Sequence, residues 1–209
     1  MADIFYHGSS RLFDKFDHSH ALESNGKCKF GFGVYVTSSF KTAVGYSRYE
    51  GGEKAADHHY IYTLEVPEKT EDNFVFSYPE IKVHPEIIRK AEEKLGEEIP
   101  LPQPVEGKHF RKYIGCKLTG WAGTAKQMTE MNVPGMTAED KFKAEVAAAD
   151  FMYSIGVIMF DWPHGKDDEH RAYINTDDVK IRRIESVEIR MKGKGFEIVE
   201  GSQKLIKEF

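Results

Sequence analysis

The sequence lacks most of the features that would classify it quickly. Its 209 residues hold two cysteines, Cys28 and Cys116. They lie far apart and match no zinc or redox spacing, which excludes a disulfide-stapled scaffold and suits reduced thiols. No run approaches the ~18 apolar residues of a membrane-spanning helix. The opening MADIFYHGSS has no basic stretch leading into an apolar one, as a secretory signal would. A soluble, cytoplasmic protein with no membrane partner is expected. Basic charge is not in excess: 29 Lys and Arg stand against 34 Asp and Glu, a formal net charge of -5. The surface as a whole is therefore not an electrostatic nucleic-acid binder. Neither a P-loop GxxxxGK[ST] nor a GxGxxG dinucleotide fingerprint occurs, and no serine sits in a GxSxG elbow. The nine histidines form no set with zinc-ligand spacing, so no metal is expected.

What the chain does have is aromatic bulk. With 40% hydrophobic residues, 14 Phe and 10 Tyr, it can bury one full core. DIFYHGSS reads as a strand broken at Gly8, and GVYVTS (33–38) as a second. SFKTAVGYSRYE (39–50) turns to helical spacing behind a Ser38 or Ser39 cap. YIYTLEVPE (60–68) is a strand stopped by Pro67. HPEIIRKAEEKLGEE (84–98) is a helix with Pro85 early and Gly96 as terminator. Thr137 and Asp140 cap another over 137–156. Residues 110–136 carry no decisive pattern. VIMFDW, RAYIN, VKIRRI, SVEIR and FEIVE are short β-like runs. Strands first, helices midway and strands last predict an α+β fold with a mostly antiparallel sheet, in a single domain over 1–209.

Taken alone, His7-Gly8-Ser9 is a turn with a histidine. Gly8 would let a ligand approach the backbone, and His7 could bond a hydroxyl. Tyr35 on a strand and Tyr46 on the helix after it could wall a slot for a flat ring; equally, both could be core.

Together, YHGS and GFGVYVTSSFKTAVGYS resemble the His–Tyr–Glu class of ADP-ribosyltransferases, related to poly(ADP-ribose) polymerase-like and diphtheria-toxin-like catalytic domains. YIYTLEVPE, AEVAAADFMYSIGVIMFDW and EHRAYINTDDVKIRRI resemble later pieces of that pattern. The likeness covers roughly 4–67 and 144–184, with an atypical insertion at about 75–136. It implies split, mostly antiparallel sheets with flanking helices, and NAD+ as substrate. It also implies a macromolecular acceptor, protein or nucleic acid, and suits a toxin- or effector-like protein. Gly8 would hold the nicotinamide amide and Ser9 would assist. His7 would bond the adenine-side ribose, and Tyr35 and Tyr46 would close the slot from two sides. The catalytic carboxylate would be Glu169, although alignment puts His170 at its place. Strand alternation lets only one of these two enter the cleft. A catalytically silent NAD- or ADP-ribose-binding module, or an NAD+ glycohydrolase, are the alternatives. His7 and Tyr35 are expected on adjacent antiparallel strands, facing one cleft.

Overall fold

The computed structural model describes residues 2–18, 28–49, 57–163, 165, 168–193 and 195–209. Among them, ten strands and five α-helices follow in the order β1 (Ala2–Ser9), β2 (Val34–Thr37), α1 (Phe40–Ser47), β3 (Tyr60–Pro67) and β4 (Phe74–Phe76). Next come α2 (Pro85–Leu95), α3 (Gly107–Leu118), α4 (Ala125–Glu130), α5 (Ala138–Ser154), β5 (Met159–Pro163) and β6 (Glu169–Tyr173). The chain ends with β7 (Lys180–Ser186), β8 (Ile189–Lys192), β9 (Gly195–Ile198) and β10 (Lys204–Glu208). This is an α+β fold. Eight strands form one sheet in the order β10-β7-β3-β1-β2-β6-β5-β4, and β8 and β9 form a separate ribbon. Every pairing is antiparallel except β4 with β5.

Local chemistry accounts for the helices that the sequence marked. Ser39 caps α1 by accepting from the Thr42 amide, and Thr137 and Asp140 make a reciprocal capping box at α5. Pro85 starts α2, and Gly96 ends it in the left-handed region at φ 72°. Residues 110–136, which gave no reading, fold largely into α3 and α4.

The helices lie on one face of the sheet. α1 packs Ala43 and Val44 against Ile61 and Val187. α2 to α5 share one core with Phe160, Trp162 and Ala172 of β5 and β6. Residues 75–136 are thus built into the main core. The opposite face carries Phe5, Val34, Val36, Tyr62, Leu64 and Tyr173, with Phe16 from the segment after β1 laid over them. Alternating side chains along each strand divide the two cores.

Between α3 and α5 lies a buried ion pair. Arg111, 1% exposed, holds its Nε 3.1 Å from Glu145 Oε2 and its guanidinium 5.3 Å over the Phe160 ring. Its two terminal nitrogens have no hydrogen-bond partner among the described residues. Burial raises the Glu145 carboxyl above its usual range, outweighing the pull of Arg111.

Candidate functional site at the β1–β2 seam

The sheet is weakest between its two middle strands. β1 pairs with β3 along its whole length, from Ala2↔Pro67 to Ser9↔Tyr60. With β2 it shares only Tyr6↔Thr37. Two residues on, where Gly8 would face Tyr35, no pair forms. The His7 imidazole reaches across instead, with Nδ1 2.8 Å from the Tyr35 carbonyl oxygen. A carbonyl can only accept, so Nδ1 carries the proton, and in the neutral ring Nε2 is an acceptor. Burial lowers the His7 pKa, against the raising effect of the bond to Tyr35. Phe13, Phe16 and Tyr62 surround the ring, with centroids 6.2, 5.1 and 6.0 Å away.

A pH dependence follows. The unfolded chain takes up a proton on His7 near the ordinary value of about 6.5, while the folded ring resists it. Stability therefore falls as pH drops below about 6.5, by at most ~1.4 kcal/mol per pH unit for each such proton. His59, also lowered by burial, adds in the same direction. Urea titrations at pH 5 and 7 should show a smaller difference in His7→Gln than in the wild type.

Tyr6 and Thr37 lie opposite one another, so alternation puts Gly8, Thr37 and Tyr35 on the helix face and His7 on the other. His7 and Tyr35 do sit on adjacent antiparallel strands, but their rings leave on opposite faces, and only the Tyr35 backbone joins them. The expected single-faced cleft is corrected on this point. Gly8 is also explained differently from a ligand's approach. A Cβ there would lie 1.8 Å from the Ala43 carbonyl oxygen, so α1 occupies the space that a side chain would need. The Ser9 hydroxyl accepts from the Arg11 amide, 3.0 Å away, and shapes the turn.

Tyr35 and Tyr46 are not facing walls. They end an aromatic row, Tyr46–His170–Trp162–Tyr35, with successive centroid distances of 6.0, 5.5 and 5.2 Å. Trp162 fills the space between them because β5 pairs Trp162 with His170. Phe30 stacks on Trp162 at 4.3 Å. The Tyr35 hydroxyl donates to Gly31 O at 2.7 Å and accepts from the Phe30 amide at 3.1 Å, tying down that loop. Burial pushes its pKa well up. Tyr46, 40% exposed, is the open end of the row; burial, then the nearby Asp168 carboxylate, raises its pKa.

The register at β6 is settled by its pairing, Tyr35↔Ala172 and Thr37↔His170. His170, 1% exposed, faces the aromatic row. Glu169 points to the other face, where its carboxylate accepts from Arg171 at 2.7 Å. Sequence reasoning missed Asp168, whose carboxylate turns back to the helix face. Its Oδ1 accepts from the Thr37 and Ser38 hydroxyls, the latter at 3.3 Å, and its Oδ2 accepts from Thr42 Oγ1 at 2.6 Å. The His170 Nε2 stands 3.1 Å from Oδ2 in an ion-pair contact. The i, i+2 spacing of Asp168 and His170 was the available signal.

A surface pocket of about 530 Å³ opens at this end of the sheet, lined by Ser38, Phe76, Asp161, Trp162, Asp168 and Glu169 among others. Asp161 sits at its floor, 2.8 Å from Lys69 Nζ. Burial raises the Asp161 carboxyl against the pull of Lys69. Among the described residues no group of three or more His, Cys, Asp or Glu converges on a metal position, and no helix is long and apolar enough to cross a membrane.

No family model, curated protein or solved structure matches this chain.

Proposed function

We propose that this chain is an NAD+-consuming ADP-ribosyltransferase, cleaving the nicotinamide–ribose bond and passing ADP-ribose to a protein or nucleic-acid acceptor. The observation that carries this reading is the seam. Here the β1–β2 ladder stops after one pair, and the unladdered backbone at Gly8 lies across from Tyr35, the inner end of the aromatic row. Main-chain groups at such a gap suit a planar carboxamide, which needs one donor and one acceptor. His7 lies on the opposite face and acts by positioning the Tyr35 strand, not by meeting the ribose. The row ending in Tyr46 offers ring faces to the nicotinamide. The chemistry requires no metal: nicotinamide leaves as a neutral molecule, and the protein's part is to position the substrate and to stabilise the positive charge that grows on the ribose.

The test is calorimetric titration with NAD+ together with an assay of released nicotinamide. The wild type should bind and release, and Tyr46→Ala, at the open end of the row, should bind at least tenfold more weakly. A wild type that does neither refutes the reading.

A second reading is a silent NAD- or ADP-ribose-binding module, and the orientation of Glu169 away from the aromatic row favours it. It predicts binding with no release. If release persists without any acceptor, water is the acceptor and the activity is that of a glycohydrolase.

A further inference from the structure

Transfer of this kind needs a fixed negative charge beside the ribose, and Glu169 is spent on Arg171 at the far face. We propose that Asp168 is the carboxylate of this site, an assignment that rests on the NAD+ reading above. Three observations carry it. First, Asp168 lines the 530 Å³ pocket with Trp162, Ser38 and Glu169, and unlike Glu169 it is not paired with an arginine there; its side chain keeps 13% of its surface exposed. Second, it belongs to the helix face, bonded to Thr42 of α1 and Thr37 of β2 and in contact with His170 of β6. These three elements also carry Tyr46 and Tyr35 and adjoin Trp162. Third, its charge is organised before any ligand arrives: three hydroxyls and one imidazole hold both oxygens, so no reorientation is needed as positive charge develops.

Burial alone would raise the Asp168 pKa. The hydrogen bonds from Thr37 and Thr42 and the contact with His170 outweigh it and hold the pKa below the usual range, so the group is ionised at neutral pH.

The step balances without a further reagent. The C1′–N bond of NAD+ breaks with its electron pair going to nicotinamide, which departs neutral. Positive charge spreads over C1′ and the ring oxygen, opposite the Asp168 carboxylate. An acceptor H–X then bonds C1′ through X, and its proton passes to solvent, leaving ADP-ribosyl-X.

The experiment compares Asp168→Asn, which keeps shape and removes charge, with Glu169→Gln. For Asp168→Asn, nicotinamide release should fall at least a hundredfold in kcat, with NAD+ affinity within threefold of wild type. Glu169→Gln, which also borders the pocket, should lose at least tenfold less kcat than Asp168→Asn. Should Asp168→Asn fail to fold by its melting profile, Thr42→Val, which removes one donor to the carboxylate, should still lower kcat severalfold at unchanged affinity. An Asp168→Asn or Thr42→Val enzyme with wild-type kcat overturns the assignment alone, as does a Glu169→Gln enzyme that has lost release. A wild type that neither binds NAD+ nor releases nicotinamide overturns both the assignment and the function beneath it.

Discussion

Arg111→Met should cost about 3–5 kcal/mol of stability, the usual penalty for stranding one member of a buried ion pair. Methionine fills much of the space along the arginine stem, so the cost arises chiefly at Glu145, which is 6% exposed and loses its cation. Urea unfolding should show a lower midpoint with an unchanged slope. The sign of the pH effect separates this cause from a packing defect. The folded-state pKa of Glu145 already lies above its unfolded value, and losing Arg111 raises it further. A raised carboxyl stabilises the fold below the unfolded pKa and loses that contribution as pH climbs through the folded one. The deficit of Arg111→Met should therefore be larger at pH 8 than at pH 5, whereas a cavity would cost the same at both. The double variant Arg111→Met with Glu145→Leu should recover most of the loss, because removing both charges leaves nothing stranded. The terminal nitrogens of Arg111 are gone from both variants, so their burial cost cancels and the recovery reports Glu145 alone.

Gly8→Ala should cost about 3 kcal/mol, at the upper end of ordinary overpacking. The added methyl would meet backbone, the Ala43 carbonyl oxygen at 1.8 Å and the Ser47 nitrogen at 2.9 Å. No side-chain rotation can relieve this, so α1 as a whole must move off β1. Gly96→Ala is the contrasting case: nothing lies within 4 Å of its added Cβ, and only the left-handed backbone at φ 72° is penalised, at ~1 kcal/mol. Thermal melts of the two variants should differ accordingly. Because α1 also carries Tyr46 and Thr42, Gly8→Ala should weaken NAD+ binding as well, while Gly96→Ala should not.

What could be read from the sequence follows from how local each signal is. The Ser39 cap, Pro85 with Gly96 and the Thr137–Asp140 box act within a few residues, and α1, α2 and α5 begin where those residues put them. α3 was hidden because its glycines serve contacts distant in the chain. Gly107 lies against the Phe76 carbonyl, and Gly115 against that of Ala144. In sequence these look like helix breakers. β10 was also overlooked: all five of its residues are exposed, so it shows no alternation between buried and open positions. At the site, His7, Gly8, Tyr35 and Tyr46 could be picked out by motif, yet which face each serves depends on register between strands. The choice between Glu169 and His170 is settled by β6 pairing with β2, more than 130 residues earlier in the chain. For Asp168 the i, i+2 spacing to His170 could give the face but not the partners, since its hydroxyl donors come from residues 126 to 131 positions away.

The single Tyr6↔Thr37 pair also has a kinetic signature. On one side of it, four strands from β10 to β1 form a continuous ladder; on the other, four from β2 to β4 form another. Amide hydrogens inside either half are locked by neighbours on a full ladder and should exchange with solvent slowly. Those bordering the joint should exchange sooner, because little has to break to release them. A molecule lodged across the joint would bolt the two halves together, and its arrival should appear as slowed exchange along β1 and β2 before anywhere else.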